Sequence, residues 1–284
     1  MMTIRRLTAS AVGIAIVLGV AQASAHEFKG ASASVGQGTV DSYASVGVGG
    51  VPTEIGIILS KGALDGLPPK PNNTSRCFDL DGNGRINETG ECDGDYQSSL
   101  PFPAEVRERP DIPFDFAMVN WNPYGHPPEP WALPHFDIHF YQIPESAVDE
   151  IRVGACEIFI DCEDRERALV PVPAKYVHPE YVSVEAAVGR MGNHLIDVKT
   201  PEFGDPPATF THTWIFGAYD GSVIFHEVMV TSDFLAGGGD ACAPIKQQQA
   251  WEKAGYYPTR YCIRDAGEDG IRIFMDGFEM RPAG

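Results

Sequence analysis

The sequence predicts a mainly β fold, a single antiparallel β-barrel or β-sandwich-like domain with a few short helices and one inserted loop. Three observations carry this expectation. Runs of β-branched and aromatic residues, several alternating apolar with polar, recur along the chain. The 30 glycines and 23 prolines separate them with turn residues. Helical periodicity is short-lived wherever it begins.

In chain order the strand-like runs are TVDSYASVGV, TEIGIILS, FDFAMVNW, HFDIHFYQI, YVSVEA, FTHTWIFGAY, SVIFHEVMVT and GIRIFMDGF. The best helical stretches lie around 146–153 and over 245–253, just after Pro244. The segment EFKGASASVG reads as a flexible lead-in. Residues 64–113, rich in Pro, Gly, Asn and acid, are the least globular stretch, and no internal repeat is present. The reading is one β-rich domain over 26–284, with a disulfide-clasped acidic insertion at about 71–97.

The first 25 residues read as a signal peptide. Arg5 and Arg6 precede the apolar run AVGIAIVLGVA, and Ala23-Ser24-Ala25 forms a small-x-small cleavage signal. That apolar run is too short to cross a bilayer, so no membrane insertion is expected after cleavage. The segment holds two of the 21 basic residues and none of the 39 acidic ones, leaving 19 against 39, a formal charge of −20. Such a balance repels nucleic acid and anionic lipid, and favours solubility and cation binding. A secreted or periplasmic location follows.

All six cysteines lie after the cleavage point. In an oxidising compartment they are expected to pair. Successive cysteines bracket short loop-like segments, which predicts Cys77–Cys92, Cys156–Cys162 and Cys242–Cys262.

A hairpin follows from Asp220-Gly221, a strong two-residue turn signal between two β-runs. Pairing Tyr219 with Ser222 and counting outward places Glu227 on a face with Trp214, Phe216, Phe225 and Met229, with His212 diagonal to it and His226 on the opposite face. A carboxylate among such neighbours needs a cation, a hydrogen-bonding partner or a raised pKa.

Strand alternation puts His135, Asp137 and His139 on one face of HFDIHFY, a plausible metal-ligand set. Residues four apart on a straight strand are roughly 13 Å apart, so His135 and His139 share one ion only across a bulge or bend. His194, beside a glycine turn, and His126, before a proline-rich loop, gain weight only if they converge on that face.

The blocks VGQGTV, PTEIGIILSKGALDGLP, NWNPYGHPPEPWALPHFDIHFY, MGNHLID, FTHTWIFGAYDGSVIFHEVMVT and GYYPTRY resemble a family of secreted bacterial proteins of unknown function. The resemblance implies a β-rich fold with a metal site at His126, His135, His139, His194 and Glu227, and assembly of some members into large homo-oligomers. The chain departs from the family in the insertion at 77–92 and in His226, where an aromatic residue is expected.

Together these readings place one transition-metal site where the HFDIH strand, the His194 turn and the Glu227 face converge. Its donors are His135, His139, His194 and Glu227, with His126, Asp137 and His212 as supporting or alternative groups. Imidazole with carboxylate suits zinc best, with copper, iron, nickel or manganese as alternatives.

The insertion carries a second pattern. Asp79, Asp81, Asn83, Arg85 and Asn87 stand at positions 1, 3, 5, 7 and 9 of a calcium loop, with Gly82 at the sharp turn. Position 12 departs from the pattern, being Gly90. His26 at the mature terminus offers an amine and an imidazole of the copper-brace type as an outside reading. No GxSxG elbow supports a serine triad. Three functions remain open: a metal-binding protein with a closed site, a metalloenzyme using a metal-bound water, and a calcium-dependent surface interaction module.

Overall fold

Short alternating runs cannot bury an apolar face alone, so they pair into sheets and the sheets pack on each other. The computed structural model describes residues 25–71, 77, 79, 82–86, 96–156 and 159–284. All but the last residue of the expected signal peptide, together with Asp81, Asn87 and Cys92, lie outside the described residues.

The strands are β1 (His26–Val35), β2 (Gly38–Val46), β3 (Pro52–Leu59), β4 (Tyr96–Pro101), β5 (Phe116–Asn122), β6 (His135–Tyr141), β7 (Tyr181–Val188), β8 (Gly192–Asp197), β9 (His212–Tyr219), β10 (Ser222–Thr231), β11 (Ala241–Pro244), β12 (Gly255–Tyr257), β13 (Arg260–Asp265), β14 (Ile271–Asp276) and β15 (Glu279–Arg281). Four short helices join them: α1 (Ala104–Arg107), α2 (Glu145–Val148), α3 (Cys162–Ala168) and α4 (Ser232–Ala236).

Six strands form an antiparallel sheet in the order β1-β2-β3-β14-β13-β11, and seven form another in the order β4-β5-β6-β10-β9-β8-β7. Neither closes on itself, so the fold is sandwich-like rather than a barrel. Phe136, Ile138, Val228 and Val230 of the larger sheet share one core with Ile55, Ile57, Ile263 and Ile273 of the smaller.

The other face of the seven-stranded sheet is also covered. Phe116, Met118, Tyr141 and Phe225 pack beneath Val148, Ile151, Ile160 and Ala168, segments that include α2 and α3. Ile215 and Met229 pack beneath Trp131, Phe203 and Phe210. Strand alternation places His135, Asp137 and His139 on the face of Tyr141, and Glu227 between Phe225 and Met229. The polar groups are therefore buried between two apolar clusters.

Four expectations need correction. Residues 245–253 are not a helix, because their polar groups are bonded elsewhere: Ile245 N–H donates to Thr259, Ala250 N–H donates to Lys175, and the Gln247 side chain donates to Ile245 and Pro258 carbonyls. The lead-in is strand β1, paired with β2 from His26 to Val35. The 146–153 helix is a single turn, α2, started by Pro144.

The fourth correction concerns the hairpin register. Asp220 and Gly221 both adopt positive φ, 54° and 79°, and Tyr219 pairs with Ser222 as expected. A bulge between Val223 and Phe225 then shifts the ladder by one, so that Glu227 faces Ile215 rather than Trp214. His226 and Glu227 still point to opposite faces, but His212 now shares the face of His226, away from Glu227.

Candidate metal centre

Two groups of donors meet on the covered face, not one. His139, His194 and Glu227 form the first, and His126, His135 and Asp137 the second, with the donor atoms of each group within 4.8 Å of one another. The sequence-based set is thus divided. His139, His194 and Glu227 converge as expected, while His135 joins His126 and Asp137. His212 joins neither, because its Nδ1 lies 2.9 Å from the Tyr261 hydroxyl and its ring packs on Phe234.

Three strands build the first group. Glu227 lies opposite His139 in the β10–β6 ladder, and His194 of β8 pairs with Gly217 of β9. Glu227 Oε2 is 3.4 Å from His139 Nε2 and 3.9 Å from His194 Nε2. Phe225 packs edge-on against both imidazoles, at 4.8 Å from His139 and 5.6 Å from His194. Gly217 makes this possible: a Cβ there would lie 1.9 Å from Cε1 of the Phe225 ring.

Strand β6 supplies two members of the second group and the loop after β5 supplies the third. Asp137 Oδ1 is 3.1 Å from His135 Nε2, and Oδ2 is 3.4 Å from His126 Nε2. Asn122 donates to Asp137 Oδ2 at 2.7 Å and steadies the carboxylate.

All four histidines are held in the same way, with Nδ1 against a backbone carbonyl. The partners are Pro127 for His126 at 2.8 Å, Leu133 for His135 at 2.6 Å, Met118 for His139 at 3.2 Å, and Ala186 for His194 at 2.8 Å. A carbonyl can only accept, so each Nδ1 carries a proton, and in the neutral imidazole each Nε2 then presents a lone pair to its group. The Ala186 carbonyl reaches His194 from a bulge in β7, where register is lost between Ser183 and Ala187 and Glu185 adopts φ 60°.

The donor atoms themselves lack ordinary partners. His139 Nε2, Glu227 Oε2, His135 Nε2 and Asp137 Oδ1 are all buried without a hydrogen bond among the described residues. Close approach without hydrogen-bond alignment is the arrangement of atoms aimed at a common ion. Burial pushes His139 down to about 3 and also lowers His194, keeping both imidazoles neutral. Burial, reinforced by the Asp137 charge, holds the Glu227 carboxyl well above its usual range. Burial would raise Asp137 too, but the His135 and His126 imidazoles beside it outweigh that effect and hold the carboxyl well below its usual range.

No family model, curated protein or solved structure matches this chain. The site is therefore read from its own geometry. Two imidazoles and one carboxylate, in a fixed tautomer and with carbonyl support behind each ring, are a donor set that fits a divalent transition ion.

The cysteine expectations hold where they can be followed. Cys156–Cys162 and Cys242–Cys262 are disulfides, and Cys77 is disulfide-bonded as well. In the inserted loop, Asp79 Oδ1 and Oδ2 accept from Asn83 and Gly84 N–H at 3.0 and 2.7 Å, and Asn83 Oδ1 accepts from Arg85 N–H at 2.9 Å. These local bonds make an Asx-type turn.

Sequence reasoning missed Asn122 and Gly217 as parts of the site, and named Phe225 only as an apolar neighbour of Glu227. Asn122 pairs with His135 across β5 and β6, so its signal was the strand pairing itself. Gly217 carried a local signal, an isolated glycine inside a strand pattern.

Proposed function

We propose that this is an exported transition-metal-binding protein that holds a zinc-type ion at His139, His194 and Glu227. The observation that carries the reading is the convergence of two carbonyl-locked Nε2 atoms on the Oε2 of one buried carboxylate. Imidazole and carboxylate donors favour zinc among the available divalent ions, with copper, iron, nickel and manganese as competitors. The export part rests on the N-terminal sequence and the disulfides. Calcium at the Asp79 loop belongs to the reading as an accessory, tested by D79A at millimolar calcium.

A specific feature favours a second reading, a metalloenzyme. The group supplies three protein donors, the number found at catalytic zinc, where a water takes the fourth position and structural sites are closed by a fourth residue. Here His194 is the donor nearest solvent, its side chain 14 % exposed against 1 % for His139 and Glu227.

Metal analysis of the purified chain before and after dialysis against zinc tests the first reading. At least one equivalent is expected in the wild type, with a marked loss in E227Q. A wild-type chain that takes up no zinc, copper, iron, nickel or manganese would sink it. Hydrolysis of activated esters by the zinc-loaded protein, lost in H194A, would move the assignment to the second reading.

A further inference from the structure

The face that carries His139, His194 and Glu227 continues along β6 to a second donor group that cannot share its ion. His135 and His139 are separated by four residues of regular strand, roughly 13 Å, and pair without interruption with Thr231 and Glu227 of β10. The bulge or bend that would fold them onto one ion is absent from this ladder. Asp137, between them, approaches His135 and His126.

We propose that the sheet face holds two separate ions per chain, an inner one at His139, His194 and Glu227 and an outer one at His126, His135 and Asp137, and that the outer ion exchanges far faster. The inner half of this statement rests on the proposed function above, and the outer half stands on its own atoms. His135 Nε2 and Asp137 Oδ1 are buried, 3.1 Å apart, and form no hydrogen bond to each other or to anything else described. Buried polar atoms are seldom left so, and an ion satisfies both together. The Leu133 and Pro127 carbonyls hold a proton on each Nδ1, so that in the neutral rings both Nε2 atoms are free to ligate an ion beside Asp137.

The difference in exchange follows from what holds the third donor. In the inner group all three side chains stand on strands paired on both sides, β6, β10 and β8, and the most exposed of them is 14 % open. In the outer group His126 sits on the loop between β5 and β6, with its side chain 37 % exposed. That loop turns at Gly125, whose φ of 66° excludes ordinary side chains. Loops open locally at a small fraction of the free energy needed to open a central strand. Swinging His126 outward removes one of three donors and uncovers the ion, while the inner ion has no comparable door.

The test loads the full chain with zinc, removes excess by gel filtration, and follows transfer to a chromophoric chelator in a stopped-flow instrument. Wild type is expected to carry two equivalents and to release them in two phases, the first more than about tenfold faster. H126A and D137N should each keep one equivalent and lose the fast phase, while E227Q should keep one and lose the slow phase. His126 is partly exposed on a loop, so H126A is expected to fold even if D137N does not. One wild-type equivalent, unchanged in H126A and abolished in E227Q, would overturn the two-ion proposal and leave the proposed function standing. Two equivalents released in a single phase would overturn the difference in exchange, and no zinc at all would remove both.

Discussion

Glu227 lies directly across the β10–β6 ladder from His139, with Oε2 3.4 Å from Nε2 and each side chain 1 % exposed. Neither atom is hydrogen-bonded. Burial disfavours the charged form of both, lowering the imidazole and raising the carboxyl, so the metal-free pair rests as two neutral groups rather than an ion pair. A divalent ion supplies the charge that makes an ionised Glu227 tolerable there.

Metal retention should therefore depend on His194 and on pH. Imidazole and carboxylate donors must be deprotonated to bind, so zinc affinity falls as pH falls. H194A should lower affinity by at least about 10- to 100-fold at neutral pH, read by competition with a chelator of known affinity. A variant as tight as wild type would remove His194 from the site.

His226 gives the complementary control. It points to the inter-sheet core, where Phe114, Trp214 and Phe216 contact its ring at 5.2, 5.4 and 4.8 Å, and its Nδ1 is buried without a partner. H226A should retain metal while losing about 3 kcal/mol of stability to the cavity. H226F should retain both, because it fills the space and removes the orphaned nitrogen. Metal loss in both variants, measured beside urea unfolding curves, would show that the register assigned to β10 is wrong.

Gly217 couples packing to the site. In G217A the new methyl displaces the Phe225 ring, which rests on both His139 and His194. The expected cost is about 1–3 kcal/mol of stability, together with weaker zinc binding. Unchanged binding in a destabilised G217A would show that Phe225 only fills space.

The Cys242–Cys262 bridge joins directly paired residues of β11 and β13, with a sequence separation of 20. Constraint of the unfolded chain by a loop of this length is worth about 3 kcal/mol. The C242A/C262A double variant should lose about that much in urea unfolding, with metal content unchanged because the bridge lies on the other sheet.

Asp164 offers a pH signature outside both donor groups. Its buried carboxylate accepts from the Tyr219 hydroxyl at 2.7 Å and from the Arg152 backbone and side chain at 3.0 and 2.7 Å. Burial opposes ionisation, but these bonds prevail and hold its pKa below the usual value. A lowered folded value means stability that is present above the ordinary carboxylate range and is lost as pH falls through the folded pKa. D164N should cost about 2–3 kcal/mol at neutral pH, and its stability should converge with that of wild type in acid. A constant gap down to low pH would contradict this.

Much of this arrangement could be read from residue order because it is local. Alternation along HFDIHFY put its three polar residues on one face, and the Asp220-Gly221 turn separated Glu227 from His226. What failed depended on contacts distant in sequence. The bulge at Ile224 accompanies a Gln142 N–H bonded to the Ile224 carbonyl and a Phe225 ring laid over Gly217, neither visible from hairpin counting. The division into two donor groups depends on where the loop from β5 to β6 returns His126, which spacing does not specify. Strand β1 was missed because HEFKGASASV, small and polar, lacks the apolar alternation that marks a half-buried strand.

The bulge in β7 has a consequence beyond aiming the Ala186 carbonyl at His194. Strand β7 is an outer edge of the seven-stranded sheet, and Val182 and Val184 are exposed on it. A regular edge bearing exposed valines is a template on which another chain can add a strand. Breaking the pairing between Ser183 and Ala187 interrupts the even row of backbone donors and acceptors that such an addition needs. The irregularity that orients the His194 imidazole thus also makes β7 a poor template for an added strand, and a substitution that straightened β7 is expected to promote aggregation.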